Sequence, residues 1–440
     1  MIKKTDIKNN PFLLFLPLLF FYIVIILIFH NPELIFNGDE SRYLQFAKNI
    51  LNGYYSPPYP NIDLMNGPGY PLVLVPFLAA GLSITFLILI NAFFYYLSVV
   101  FLFKSLIEFV SFRKSLVLSL FWAFYYNGYQ ELVHLMTEPF SWLLISLIIF
   151  CLIKLFQNGN RKSVRKYILL SGACIGYLAL TKISFGYVLM CLLVGSISIL
   201  IFNRRNSNLK KLIIVLLTAF AFTTPYLIYT FNLTGKIFYW GTPGGDSLYW
   251  MSTPFQNEYG NWYGDFNLLP RSQKEIESNI PGYLDSLKLH HQKDYDKIFA
   301  NADAVKREKM FRKIAIENIK SNPLKYLDNC ISNAGRLLFS FPYSYTIQNN
   351  RTLFRLPLNG ALVLISLFSL IPTFFNWKRL FFPIKFILFF LFLYLGASVL
   401  VSATIRMFTI IVPMLLFWIG YILQRTVKLN LSFTDKNNAA

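Results

Sequence analysis

Apolar runs close to the ~20 residues that a helix needs to cross a bilayer recur along the chain, separated by short polar stretches. They fall at 11–29, 83–107, 115–133, 139–156, 167–183, 184–202, 211–231, 356–375, 381–401 and 407–424. The pattern predicts an all-α polytopic membrane protein with about 10 transmembrane helices. Three stretches depart from it. Residues 37–53 place Tyr43, Phe46, Ala47, Ile50 and Leu51 on one helical face and Arg42, Gln45, Lys48 and Asn49 opposite, which predicts an amphipathic helix lying in the interface. Asn37 is the expected N-cap, Glu40 completes a capping box and Gly53 ends the helix. Residues 68–80 make 68–107 too long for one span. Their Gly67-Pro68-Gly69 and Pro71 entry predicts an interfacial or re-entrant segment.

The third departure is the polar region 232–355, long enough for a small extramembrane subdomain. It opens with the aromatic, Gly-rich residues Tyr239-Trp240, Gly241 to Gly245, Tyr249-Trp250 and Trp262-Tyr263, and continues as charged helix over about 271–320. Asn322-Pro323 starts a helix in which Leu324, Leu327, Ile331, Ala334, Leu338 and Phe341 recur by threes and fours, a face expected to pack onto the membrane part. The organisation is thus an N-terminal transmembrane module, 1–231, whose loop 30–82 leaves the membrane; the mostly α subdomain 232–355; and C-terminal transmembrane helices, 356–440.

Composition agrees: 55% of residues are hydrophobic and 14% charged, too apolar for a soluble chain. The net charge of +20 would suggest nucleic acid in a soluble protein. Here the bases sit in short loops, at Arg113-Lys114, Arg161 to Lys166, Arg204 to Lys211, Lys378-Arg379 and Arg425 to Lys428. With the spans counted as above, all of these share a side with Lys3, Lys4 and Lys8. The positive-inside rule makes that side cytoplasmic, leaving no nucleic-acid partner. The first apolar run lacks a small-residue cleavage site and is read as a retained span. The four cysteines form no metal or disulfide framework.

Chemistry collects on the other, outer side. The pair Asp39-Glu40 is a candidate general base, because a carboxylate at a membrane surface can take a proton from an attacking hydroxyl. Their simpler role is to cap a helix. Glu131, His134 and Glu138 stand at i, i+3 and i+7 and would hold a divalent metal ion if one helix carried all three; Pro139 makes Glu138 the cap of the next span instead. Lys182 and Arg406 lie at or near outer span ends, where snorkelling is the default, yet they share a compartment with the acids and could hold a phosphate, with Arg336, Arg351 and Arg355 as further candidates. The aromatic stretch 238–263 suits sugar faces or an interfacial belt. Walker A, dinucleotide and HExxH motifs are missing, which excludes the corresponding nucleotide and metalloprotease chemistries.

These residues, in order, resemble the GT-C membrane glycosyltransferases, specifically bacterial relatives of protein O-mannosyltransferases and of the aminoarabinose transferases that modify lipid A. The resemblance runs through Gly38-Asp39-Glu40-Ser41-Arg42-Tyr43, Gly67-Pro68-Gly69-Tyr70-Pro71, Met136-Thr137-Glu138-Pro139, Gly176 to Lys182, Ile319 to Tyr326, and Ile405-Arg406-Met407 leading to Pro413. It implies a GT-C fold, Asp39 as catalytic acid residue, and a polyprenyl-phosphate sugar donor whose phosphate is held by Lys182 and Arg406. It further implies a glycan, lipid or protein acceptor on the outer face of the plasma membrane. Asn66-Gly67-Pro68-Gly69 stands where that family carries a basic residue before two prolines, and Met407 stands where Tyr or Phe is commoner. The rival expectation is a transporter or flippase for a lipid-linked saccharide.

Overall fold

The computed structural model describes residues 10–30, 38–157, 159–263, 282–345 and 351–426. Within these the chain is helical and contains no strand. In order the helices are α1 Pro11–Phe29, α2 Asp39–Leu51, α3 Gly69–Ala79, α4 Ile84–Leu106, α5 Phe112–Ala123, α6 Tyr126–Leu132, α7 Glu138–Gln157, α8 Arg161–Thr181 and α9 Ser184–Phe202. They continue as α10 Ser207–Thr234, α11 Pro243–Met251, α12 Tyr283–Phe299, α13 Ala304–Ser321, α14 Pro323–Phe339, α15 Arg351–Phe375, α16 Phe382–Leu400 and α17 Ile405–Thr426.

Eight of them, α1, α4, α7, α9, α10, α15, α16 and α17, are long and apolar enough to cross a membrane. The chain is a multi-pass membrane protein. The two other expected spans are not among these eight. The run 115–133 is broken at Phe124-Tyr125 into α5 and α6, and the 12 residues of α5 reach only about 18 Å. The run 167–183 belongs to α8, whose first turns carry Arg161, Lys162, Arg165 and Lys166. Periodicity finds an apolar run but not the local break that tertiary contacts impose; here the Tyr95 and Tyr22 hydroxyls bond the Trp122 and Ala123 carbonyls where α5 stops.

The core of the bundle is α4, α7 and α17, the last two being the most enclosed of the spans, whereas α1 and α15 are the most open. Polar side chains inside it bond one another: Ser98 Oγ receives the Trp122 indole N–H and lies 2.9 Å from Ser146 Oγ. Tyr22 stacks on Tyr95 with ring centroids 4.6 Å apart. α8 lies close along α10 through Gly172 and Gly176, where a Cβ would come within 2.6 Å of Thr218 and of the Ala219 carbonyl. This small-residue spacing lets two membrane helices approach backbone to backbone.

α3 has the short length expected of a segment that does not cross. In α2 the face Tyr43, Phe46, Ala47 is buried as predicted, but Asn49 is buried too, bonding the Tyr55 carbonyl, and Leu51 is exposed. Asn37 lies outside the described residues. The observed cap is Gly38, and the Glu40 carboxylate turns away from the helix start to accept the Leu135 N–H at 2.8 Å.

The largest reversal concerns α14. Leu324, Leu327 and Ile331 are exposed, and the buried face is Asn329, Cys330, Asn333, Arg336 and Leu337. The polar side faces protein because it ties together irregular backbone. Asn329 bonds the Met251 and Thr253 carbonyls; Asn333 bonds those of Ser398, Val399 and Val401 and receives the Ala403 N–H. Arg336 adds the Tyr259 and Pro342 carbonyls. An outward apolar face on a helix beside spans matches the apolar level of an interface. The 232–355 region has a second small core of its own, around Tyr249, Trp250, Leu287, Tyr295 and Phe311.

Candidate functional site

α2, the segment 132–138, the α8–α9 junction and the start of α17 meet at one end of the bundle. Asp39 occupies the first turn of α2, with Arg406 from the first turn of α17 at 3.0 Å on one carboxylate oxygen and Arg42, one turn on in α2, on the other. Arg42 also donates from Nε to Asn66 Oδ1 at 3.1 Å, and the Asn66 amide donates to the Tyr43 hydroxyl at 3.1 Å. Burial opposes ionisation of Asp39, but Arg406 and then Arg42 outweigh it and bring its carboxyl down to about 2.

Beside this pair Lys182, at the C-terminus of α8, reaches Glu138 at 2.8 Å, and Thr137 donates to the other Glu138 oxygen. Glu138 is buried as the first residue of α7. Arg406 contacts the Met136 sulfur at 3.4 Å, so one guanidinium touches both the α2 acid and the segment leading into α7. Lys182 is set by close packing. Gly67 and Gly69 press on the end of α8, where a Cβ would meet the Leu180 carbonyl oxygen at 2.0 Å or the Thr181 nitrogen at 2.6 Å.

Glu40 bonds Leu135 N and pairs with His134 Nδ1 at 3.4 Å. Burial works against the charged form of Glu40; the His134 and Leu135 hydrogen bonds prevail and lower it, while the Glu40 hydrogen bond leads the effects that raise His134. Asn91 fixes the segment by donating to the Leu132 and His134 carbonyls.

Asp39, Glu40, Glu138, Lys182 and Arg406 are therefore brought together, and Arg336 and Arg355 are not. Arg336 is fully buried, with its two terminal nitrogens bonded to the Tyr259 and Pro342 carbonyls and to Asn333. Arg355 binds Asn127 and Gln130 on α6. The Arg351 side chain lies outside what is described. The expected metal set Glu131, His134 and Glu138 does not form either. α6 ends at Leu132 and α7 begins at Glu138, so no single helix carries the three, and their partners differ: His134 turns to Glu40, Glu138 to Lys182. Among the described residues the one group with converging ligand atoms is Glu258, His290 and His291.

Arg42, Asn66 and Tyr43 are site residues that sequence reasoning passed over. Arg42 falls opposite the apolar face of α2, and only its place one turn from Asp39 hints at a role. Asn66 stands where the resembled family has a base, and it supplies an oxygen to Arg42 instead.

Chemically, the site is a chain of alternating charge, Arg42–Asp39–Arg406 beside Glu138–Lys182. Each of its cations could trade a carboxylate partner for a phosphate oxygen.

By sequence, no protein-family model and no curated protein matches this chain. Among solved structures, the chain is similar to ArnT from Cupriavidus metallidurans bound to undecaprenyl phosphate, with a TM-score of 0.40, 12% identity, and 93% of this chain and 76% of that one covered. The same enzyme in the apo state gives a TM-score of 0.40 and 12% identity over 92% of this chain and 76% of that one.

Proposed function

We propose that this protein is a GT-C type glycosyltransferase. It transfers a sugar from a polyprenyl-phosphate donor to a hydroxyl of a glycan, lipid or protein acceptor at the outer face of the plasma membrane. The observation that carries the reading is Asp39 held between Arg406 and Arg42, with Lys182–Glu138 alongside, all at one end of the spans. The donor phosphate enters as a competitor for Arg406 and Lys182. Once Arg406 moves to the phosphate, Asp39 loses a cation that suppresses its basicity and can accept a proton.

The reaction is then a single displacement. The acceptor oxygen bonds to the anomeric carbon, its proton passes to Asp39, and the bond from that carbon to the phosphate oxygen breaks with inversion. The polyprenyl phosphate leaves as an anion matched by Arg406 and Lys182. Glu138 orients Lys182, and the exposed aromatic ring of Trp262 is available to a sugar face. A transporter of lipid-linked saccharide would place its polar groups near the bilayer midplane. The charges described here lie at helix ends instead.

Asp39→Asn should lower transfer from a radiolabelled polyprenyl-phosphate sugar by roughly 10²–10⁴-fold, the range for a lost general base. A folded Asp39→Asn protein that transfers label at the wild-type rate refutes the assignment. Label that crosses the bilayer while still attached to lipid favours the transporter.

A further inference from the structure

The subdomain holds a second polar centre, remote in chemistry from the first. In the segment after α11, Glu258 is buried and faces two consecutive histidines of α12. His290 Nδ1 lies 2.7 Å from Glu258 Oε1, and His291 Nε2 lies 3.1 Å from both carboxylate oxygens. The three ligand atoms fall within 4.8 Å of one another. Consecutive residues of a helix ordinarily diverge by about 100°. The loop carrying Glu258 closes that angle by reaching between the two rings. Phe255 stacks flat on His290 at 3.7 Å between centroids and holds its plane.

The outer partners select the atoms that point inward. His291 Nδ1 is 2.8 Å from the Tyr249 hydroxyl, which donates to Asp294 Oδ2 at 3.2 Å. In the tautomer whose Nδ1–H donates to the Tyr249 oxygen, with the Tyr249 hydroxyl turned to Asp294, Nε2 presents its lone pair towards the Glu258 carboxylate. A metal ion or a proton on Nε2 joins the two groups there. Ligating histidines are commonly oriented this way, by a hydrogen bond from the nitrogen that does not bind the metal. Thr253 and Tyr345 donate to Glu258 in the same supporting role.

We infer that Glu258, His290 and His291 bind a divalent transition-metal ion of the zinc type that fastens α12 to the 252–263 segment. Two imidazoles and a carboxylate are a donor set suited to zinc, with a fourth position left for water. The subdomain core is small, and such cores gain from a metal clip. The segment so held is bonded onward, through Trp262 N–H to Ser402 Oγ at 2.6 Å, to the turn that precedes Arg406. This inference stands independently of the glycosyltransferase reading.

The test uses the full chain purified in detergent, loaded with zinc or cobalt(II), desalted, and examined by elemental analysis and visible absorption. Wild type should retain about one zinc per chain, and its cobalt form should show the intense d–d bands of four-coordination. Removal of zinc by a chelator should lower the thermal midpoint, and added zinc should restore it. His290→Ala/His291→Ala should retain none. Tyr249→Phe keeps all three ligands and should weaken zinc affinity roughly 10–100-fold, which reports on the site even if the double variant fails to fold. Wild-type protein that desalts free of zinc, with only the pale spectrum of six-coordinate cobalt, overturns the inference and leaves a hydrogen-bonded Glu–His cluster.

Discussion

A carboxylate with a pKa of about 2 is a poor base, and Asp39 is in that state while Arg406 and Arg42 hold it. The sign follows from the direction of the shift. A depressed carboxyl stays ionised through the neutral and mildly acidic range, and its pairs stabilise the fold above the ordinary carboxylate pKa. That stability is lost as the pH falls through the folded value. In the free enzyme Asp39 should therefore produce no acid limb in kcat/KM down to about pH 4. Arg406→Gln removes the larger of the two arginine effects, so the Asp39 pKa should rise toward the usual ~3.9 and bring an acid limb into the accessible range. Matching normalised pH profiles for Arg406→Gln and wild type would show that the pair does not govern Asp39. The acid pair was legible as a candidate from its place at the head of an amphipathic helix beside a span, and the resemblance singled out Asp39. That Arg42 and Arg406 share it was not, because Arg406 lies 367 positions away in sequence and the contact depends on how α2 and α17 meet.

At the scale of elements, position is controlled by backbone packing. Gly69 lies against Thr181, one residue before Lys182, and α3 packs on α8. Gly69→Ala places a Cβ 2.6 Å from the Thr181 nitrogen, a backbone atom that cannot rotate away. Overpacking of this kind costs about 1–3 kcal/mol. The variant should unfold earlier by thermal or denaturant melting and show a raised KM for donor, whereas Gly159→Ala, with nothing within 4 Å, should do neither. Equal melting of the two variants would remove Gly69 as a positioning residue. α14 teaches a second lesson at this scale. Its period of threes and fours does mark an amphipathic helix, but the apolar side, expected against the membrane part, is the exposed one. Beside a membrane, the apolar side can face lipid, while the polar side caps loops. Asn333 then becomes the residue that gathers the 398–403 turn and sets where α17 begins.

Across the whole molecule, chemistry and bare basic charge separate to opposite ends of the spans. α17 starts at the site with Arg406 and ends with Arg425 stacked on Tyr421; α7 starts with Glu138 and ends near Lys154, which pairs with Glu108. The loop charges predict the membrane orientation, and cysteine labelling checks it. In a background without the four native cysteines, Lys293→Cys on α12 should react with an impermeant maleimide in intact cells. Lys162→Cys at the start of α8 should react only after lysis. Both positions are exposed, so the reverse result would put the site on the cytoplasmic side.

Sequence by itself determined that the chain is a helical, multi-pass membrane protein and that α2 is amphipathic and acidic at its start. Each of these is a local property: run length, period and terminal residue type act within a few turns of the same helix. Tertiary structure alone decided that His134 turns to Glu40 and Glu138 to Lys182, that Arg336 serves backbone carbonyls, that 115–133 breaks in two, and that Glu258 meets His290 and His291. These outcomes depend on which distant backbone groups need a partner once the helices have packed, and hydrophobic periodicity carries no record of that.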